Sequence, residues 1–463
     1  HHGFDEFLGL PYSNDMWPVD YDGTRHGGGK KAYYPELPLI EGEETVEFLK
    51  TLEDQDRLTA RYTERAVRFI DENHDRPFFL YVAHSMVHVP LGVSPKWRGS
   101  SEQGLYGDAM QEIDDSVGQI LTALDRHGLT DDTLVVYLSD NGPWLNFGDH
   151  AGSAGPLREG KGTSWEGGVR VPCLVRWPGV IEGGRTTNRI AASIDLLPTI
   201  AALTGATLPK QPIDGVDISA LLRGEADADP REQLLYYDGG ELRAVREGRF
   251  KLTFPHRSRS YVGVEPGKGG LPGPYAWLDV EQALYDLEAD VGETTDVQAT
   301  HPEVVQRLRA LAASAREDLG DYLRERQGPG RREPGRIGGT SAREVEHLAV
   351  GCAVELDSAY APKYAAGGPG ALTDGRCGSL DFHDGRWQGY EAVDLEATVD
   401  LREIRDVKQV SCTVLESQVS WIFLPKRVEL AVSADGLRFT TMMLETVDAP
   451  TMRPQPSATA FGI

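Results

Sequence analysis

Cysteine is scarce in this 463-residue chain. Cys173, Cys352, Cys377 and Cys412 are too few for a disulfide scaffold and lack the paired spacing of a zinc site, although the three in the last quarter would allow one disulfide. No stretch of 18 apolar residues occurs, so no membrane span is expected. Positive charge is in deficit, with 47 Lys and Arg against 72 Asp and Glu, a formal net charge of −25. Binders of phosphate backbones carry a basic face, which argues against nucleic acid as a partner. An anionic substrate remains open, provided a local cationic pocket overcomes the unfavourable long-range field. The chain opens on His1-His2-Gly3 with no initiator Met and no signal-like segment, and "TMRPQPSATAFGI" trails off without closing a recognisable domain. It therefore reads as an internal piece of a longer protein.

What is present is a globular, loop-rich composition: 40% apolar residues with 52 Gly and 28 Pro, and enough length for two or three domains. From about 55 to 240 helical and strand-like patterns alternate. Residues 56 to 73 read as an amphipathic helix and "PFFLYVAHS" as a strand. Residues 108 to 127 place Met110, Ile113, Val117, Ile120, Leu121 and Leu124 at helical spacing, ended by Gly128. Strands follow at 133 to 138 and 171 to 177, and a helix at about 193 to 203. This order predicts an α/β domain with a mostly parallel sheet flanked by helices. From 232 to 325 short strands with tight turns and a helix at about 302 to 325 predict a small antiparallel sheet-plus-helix subdomain. Residues 326 to 341, rich in Gly, Pro and Arg, read as a linker. Residues 342 to 463 alternate as in a separate all-β sandwich, with Val428, Leu430 and Val432 facing one way.

Within this frame, "TLVVYLSDNGPW" is an apolar strand that ends on Asp140 and Asn141. Ligands bind beyond the carboxyl ends of strands in open α/β sheets, though Asp, Asn, Gly and Pro also make ordinary turns. "YVAHSMVHVPL" puts His84 and His88 at the end of another apparent strand. "LREGKGTSWEGGVRVP" places Lys161 in a glycine-rich loop between Gly160 and Gly162, and "GFDEFLGLPYSNDMW" supplies Ser13 in a turn-like setting. Each alone has a structural reading: a strand-end histidine that packs, a solvated loop lysine, turn glycines.

Taken together and in order, "GFDEFLGLPYS", "RPFFLYVAHSMVHVPL", "YGDAMQEIDDSVGQIL", "TLVVYLSDNGP", "GPLREGKGTSWEGGVRVP" and "IDLLPTIAALTGA" resemble the sulfatase family, arylsulfatase-like members in particular, over residues 1 to 325. The resemblance implies a sulfuric ester hydrolase of the alkaline-phosphatase-like superfamily. It further implies that Asp140 and Asn141 are calcium ligands, that Lys161 contacts the sulfate and the bridging ester oxygen, that His88 lies against the same oxygen, and that Ser13 hydrogen-bonds sulfate or substrate. It implies a domain over 1–231 and a C-terminal subdomain over 232–325, and a periplasmic or secreted location. The formylglycine nucleophile of such enzymes is made from a C/S-x-P-x-R motif. No such motif occurs here, and the amino-terminal aspartate pair and the Gly-Lys-Trp-His stretch are missing as well. The first part of the domain is therefore expected upstream, and this chain alone is expected to be inactive. Residues 342–463 resemble discoidin or coagulation-factor-C-type sandwiches, in which Trp387, Tyr390 and Trp421 either fill the core or contact sugar. A sulfated carbohydrate is the substrate this pairing suggests. Two alternatives are a phosphoryl or phosphonate ester hydrolase of the same superfamily and a catalytically inactive glycan-binding protein.

Overall fold

The computed structural model describes residues 3–25, 31, 34–324, 326–331, 343–417, 420, 422–447 and 457–462. The chain divides into two compact units, residues 1–331 and 332–463.

The first unit begins with a three-stranded antiparallel sheet in the order β1 (Leu8–Gly9), β2 (Leu37–Glu41), β3 (Glu44–Leu49). Leu37, Leu39 and Leu49 turn inward from it and bury Trp17, Leu58, Tyr62, Met86 and Ile113 in one core. Two helices follow the sheet, the short α1 (Leu52–Gln55) and α2 (Leu58–Asn73). α1 is started by a reciprocal cap in which the Thr51 hydroxyl accepts from the Asp54 N–H and the Asp54 carboxylate accepts from the Thr51 N–H. α3 (Gly104–Arg126) packs its Ala123 and Leu124 against Ile70 of α2, as its apolar spacing requires.

The expected parallel sheet is not found among the described residues; every paired strand there is antiparallel. β4 (Val135–Leu138) pairs with β5 (Cys173–Arg176), Leu138 opposite Cys173. The connection between them, residues 139–172, carries a 3₁₀ segment at Leu145–His150 and the one-turn helix α4 (Glu166–Val169). The expected strand at "PFFLYVAHS" joins no ladder among the described residues. It still alternates: Phe78 and Leu80 pack on the Ile70 and Leu124 cluster, while Phe79 and Tyr81 are 57% and 72% exposed. A short 3₁₀ turn, Ser193–Asp195, leads into α5 (Leu196–Thr204), which is closed by Gly205 at φ 72°, and α6 (Ser219–Arg223) follows.

The expected antiparallel sheet-plus-helix is present. β6 (Gln233–Asp238), β7 (Glu241–Glu247), β8 (Phe250–Thr253) and β11 (Ala283–Asp286) form one sheet in the order β11-β8-β7-β6. A separate pair is made by β9 (His256–Ser260) and β10 (Ala276–Val280). α7 (Pro302–Asp318), shorter than expected, covers the four-stranded sheet with Val304, Val305, Leu308 and Ala312 against Leu242, Val245 and Leu252. β12 (Gly320–Asp321) pairs with β13 (Arg326–Gln327), so the start of the expected linker is bonded to the end of this layer; residues 332–341 lie outside the described residues.

In the second unit the described residues form four two-stranded ladders: β14 (Arg343–Glu344) with β16 (Arg376–Cys377), β15 (Ala353–Leu356) with β17 (Ala397–Asp400), β18 (Ser411–Glu416) with β21 (Ser457–Gly462), and β19 (Arg427–Val432) with β20 (Thr440–Thr446). They do not join into two packed sheets, so a sandwich is not established for this unit. Val428, Leu430 and Val432 do share the inner face of β19. The disulfide that the last three cysteines would allow does not form, and all four cysteines of the chain are free thiols. Trp387 donates to the Ser379 carbonyl at 2.8 Å and Tyr390 to Gln388 Oε1 at 2.7 Å, which are intramolecular roles. Trp421 lies outside the described residues.

Candidate active site

Asp140 and Asn141 follow the end of β4, where the chain turns. Their neighbourhood is set by two stretches of backbone packed directly on one another. Gly142 N–H donates to the Gly168 carbonyl at 3.0 Å, and Lys161 N–H donates to the Pro143 carbonyl at 2.8 Å. A Cβ on Gly142 would stand 1.8 Å from the Gly167 carbonyl oxygen, and one on Gly160 would stand 2.5 Å from that of Pro143. Only glycine lets the segments approach so closely. The glycines around Lys161 therefore fasten the lysine loop to the acid-bearing turn. Gly142→Ala is expected to destabilise the first unit by about 3 kcal/mol, the upper end for overpacking a tight site. Chemical denaturation checks this, and a loss below about 0.5 kcal/mol, the range of ordinary surface changes, would show that the contact yields.

The Lys161 ammonium lies 4.8 Å from the centroid of the Trp144 ring, and its backbone carbonyl accepts from the Tyr261 hydroxyl at 2.5 Å. Burial lowers its pKa, Asp140 and Asp15 oppose the shift, and Arg259 adds to it. His88 also lies beside Trp144, ring to ring at 5.5 Å. Its Nδ1 lies 2.8 Å from the Val89 carbonyl; because that partner only accepts, the neutral ring carries its proton on Nδ1 and keeps Nε2 for a ligand. Burial, then the Lys161 ammonium, push the imidazole below its ordinary value, with Asp15, the Val89 bond and Asp140 pulling the other way. His88 and Lys161 thus share one electrostatic neighbourhood with Asp140 and Asp15.

Ser13 enters that neighbourhood through Asp15, whose carboxylate accepts from Ser13 Oγ at 2.7 Å and from the Tyr21 hydroxyl at 3.1 Å. The buried Asn14 amide donates to Gln55 Oε1 at 2.9 Å and to the Pro90 carbonyl at 3.2 Å, while Gln55 returns a bond to the Asn14 carbonyl at 3.0 Å. This clamp ties the Ser13–Asp15 turn to the loop that carries His88. Asp15, Asn14 and Trp144 were not anticipated from the sequence. An acid two residues beyond Ser13 in "PYSNDMW" was the available signal for the first; partners as distant as Asn14 and Gln55 leave none.

His84 does not join the site. Its Nε2 lies 3.2 Å from Ser116 Oγ on α3, its ring faces Tyr62 of α2, and burial pushes its pKa down to about 4. It is neutral in the fold and protonates more readily in the unfolded chain. Below the unfolded value near 6.5 the unfolded state binds the extra proton, so stability falls from pH 6.5 towards 4. The stability advantage of the wild type over His84→Gln is expected to be about 2 kcal/mol larger at pH 7 than at pH 5, read from urea denaturation at the two values. An unchanged difference would contradict this placement.

For calcium the fit is incomplete. Asp140 is exposed, and both its oxygens face Asn141: Oδ1 accepts from the Asn141 N–H at 2.9 Å and Oδ2 from the Asn141 amide at 2.6 Å. Calcium takes six to eight oxygens, and among the described residues no group of three acid, imidazole or thiol side chains is placed to hold a metal ion. The described residues do not by themselves build a calcium site.

Residues 1–206 match the family model "Sulfatase", and residues 229–325 match "C-terminal region of aryl-sulfatase". The chain belongs to the sulfatase family. It is 37% identical to arylsulfatase A of Homo sapiens over 330 residues, covering 67% of this chain and 64% of that protein. It is 42% identical to steryl-sulfatase of Rattus norvegicus over 285 residues, 56% of this chain and 48% of that protein. The chain thus spans less than two thirds of the length of these curated relatives. Among solved structures it is similar to the PsFucS1 sulfatase from Pseudoalteromonas sp., with 26% identity, a TM-score of 0.59, and coverage of 68% of this chain and 66% of that one. It is also similar to Ps i-CgsB in complex with k-i-k-neocarrahexaose, with 25% identity, a TM-score of 0.51 and the same two coverages. These likenesses assign the first unit to the α/β, alkaline-phosphatase-like architecture of sulfatases.

Proposed function

We propose that the protein to which this chain belongs is a sulfuric ester hydrolase, and that Lys161, His88 and Ser13 hold and activate the sulfate ester. The observation that carries the reading is that a half-buried ammonium and an imidazole with a free Nε2 both lie beside Trp144 and act on one another electrostatically, in a chain of this family. The lysine charge meets the sulfate oxygens and the ester oxygen as negative charge builds on it. The imidazole, once protonated beside an anionic substrate, donates from Nε2 to the departing oxygen. Ser13 Oγ exchanges its bond to Asp15 for one to a sulfate oxygen.

The nucleophile is not among these residues, since no C/S-x-P-x-R motif occurs in the sequence. In the family it is a formylglycine, whose hydrate attacks sulfur. This chain alone is therefore expected to release no sulfate. Asp140 and Asn141 are proposed as two oxygen donors for calcium, with the rest supplied from outside the described residues; no step assigned to Lys161, His88 or Ser13 depends on that ion. A sulfated carbohydrate is the proposed substrate, supported by the likeness to Ps i-CgsB, solved in complex with k-i-k-neocarrahexaose. A secreted or periplasmic location accords with such a substrate, and no helix among the described residues is long and apolar enough to cross a membrane.

The test is to express the intact gene product, with whatever coding sequence precedes His1, and measure sulfate, phosphate and phosphonate release from matched esters. Release of sulfate in preference to the other two is the expected result. Preference for a phosphorus ester, or glycan binding without hydrolysis, would overturn the reading.

A further inference from the structure

Lys161 has a cationic neighbour that the proposed chemistry leaves unused. Arg259, on β9, lies so near the lysine loop that a Cβ on Gly162 would come within 2.6 Å of its Nη1. Its guanidinium stacks on Tyr275 at 4.1 Å from the ring centroid. Its Nε is buried without a hydrogen-bond acceptor, its side chain is hydrogen-bonded to the neutral Tyr261 hydroxyl, and no carboxylate pairs with it among the described residues. The nearest acid of the loop, Glu159, is already engaged: it accepts from Ser260 Oγ at 2.6 Å and from the Tyr261 N–H at 2.8 Å. In a chain with a formal charge of −25, a guanidinium without a carboxylate partner beside a half-buried ammonium is a costly arrangement unless anions accompany the two cations.

The two cations do not converge on one point. Lys161 rests on Trp144 and Arg259 on Tyr275, and the Trp144 indole N–H donates to the Tyr275 hydroxyl. Tyr261 meets Tyr275 edge to face at 5.6 Å. The result is an aromatic wall with a positive charge on each of two adjacent rings. Such an arrangement suits a sugar bearing two anions, one at each cation.

We propose that Arg259, with Tyr261 and Tyr275, forms a subsite for a second anionic group, a sulfate or a carboxylate, on the same sugar as the ester held by Lys161. This rests on the reading of Lys161 as the sulfate contact. Arg259 is a specificity residue in this account and takes no part in bond cleavage.

The experiment compares kcat/KM of the intact protein, wild type, Arg259→Gln and Arg259→Lys, on a hexose monosulfate, the matched hexose disulfate and the matched sulfated hexuronate. The wild type is expected to prefer at least one dianionic sugar, and Arg259→Gln to lose about ten-fold more on that sugar than on the monosulfate, the worth of one charge-assisted contact. Arg259→Lys should restore part of the preference, and the better of the two dianions identifies sulfate or carboxylate as the group read. Equal losses on all three sugars, or no wild-type preference, overturn the subsite. If none is hydrolysed, the hydrolase reading fails by itself, and calorimetric binding of the same three sugars decides the subsite: Arg259-dependent preference for a dianion sustains it, and indifference to Arg259 refutes it.

Discussion

Replacing Lys161 by alanine in the intact protein is expected to lower kcat for sulfate release by roughly 10²–10³-fold, as for other fixed donors aimed at developing negative charge. The side chain is held by its surroundings: the backbone N–H is bonded to Pro143, the carbonyl is bonded to Tyr261, and the ammonium sits over Trp144. Its charge is thus in place before the ester oxygen begins to leave, and little reorganisation accompanies the reaction. His88→Ala should cost about 10²-fold through loss of the proton donor, with a distinguishing signature. A nitrophenolate departs without help, so the His88 loss should be small on a nitrophenyl sulfate and full on an alkyl or sugar sulfate. The Lys161 loss should persist on both. Steady-state kinetics on the two classes separates the roles, and unchanged turnover in both variants would remove these residues from the site.

The second large effect is on stability. Lys251 on β8 is fully buried, with its ammonium 2.8 Å from Glu293 Oε1, 3.1 Å from Glu166 Oε1 and donating to the Ser164 carbonyl at 2.8 Å. Tyr236 donates to Glu166 at 2.8 Å, and Glu293 accepts from the Glu166 N–H at 2.7 Å. Burial pushes the Glu166 carboxyl up, but Lys251, Arg246 and its hydrogen bonds outweigh that and hold it below its ordinary value; burial dominates at Glu293 and raises it. Lys251→Met would leave two carboxylates facing each other in the interior, at a cost of about 3–5 kcal/mol. Adding Glu293→Gln should recover part of the loss by removing one charge. Denaturation midpoints of the three proteins test this, and a Lys251→Met loss below about 1 kcal/mol would place the network at a solvated boundary instead. Because Ser164 lies in the same loop as Lys161, the network also braces the lysine from beneath, joining the antiparallel layer to the site.

Much of this was legible in the sequence where the signal is local. The apolar spacing of Ile113, Ile120, Leu121 and Leu124 marks α3, Gly205 ends α5, and the short runs after 232 give the antiparallel layer. Lys161 and His88 are flagged by the order of their motifs, and both sit beside Trp144. Other features depend on partners distant in the chain. The pairing of β4 with β5 is antiparallel although the connection is long enough for a crossover, and a strand's own apolar run does not encode its direction. His84 and His88 look alike in "AHSMVHV"; only the packing of α2 and α3 around the first separates them. Arg259 reaches the lysine loop from β9, and its lack of a carboxylate partner among the described residues exists only in three dimensions.

The most direct test of the central claim, that Lys161 and His88 face one sulfate, is a sulfate titration of the protein followed by the ¹⁵N resonances of the His88 ring. Bound sulfate should raise the depressed His88 pKa by at least about one unit, the worth of a neighbouring opposite charge, and Lys161→Met should weaken the sulfate affinity about ten-fold. A His88 titration indifferent to sulfate, or sulfate binding indifferent to Lys161, would contradict the account.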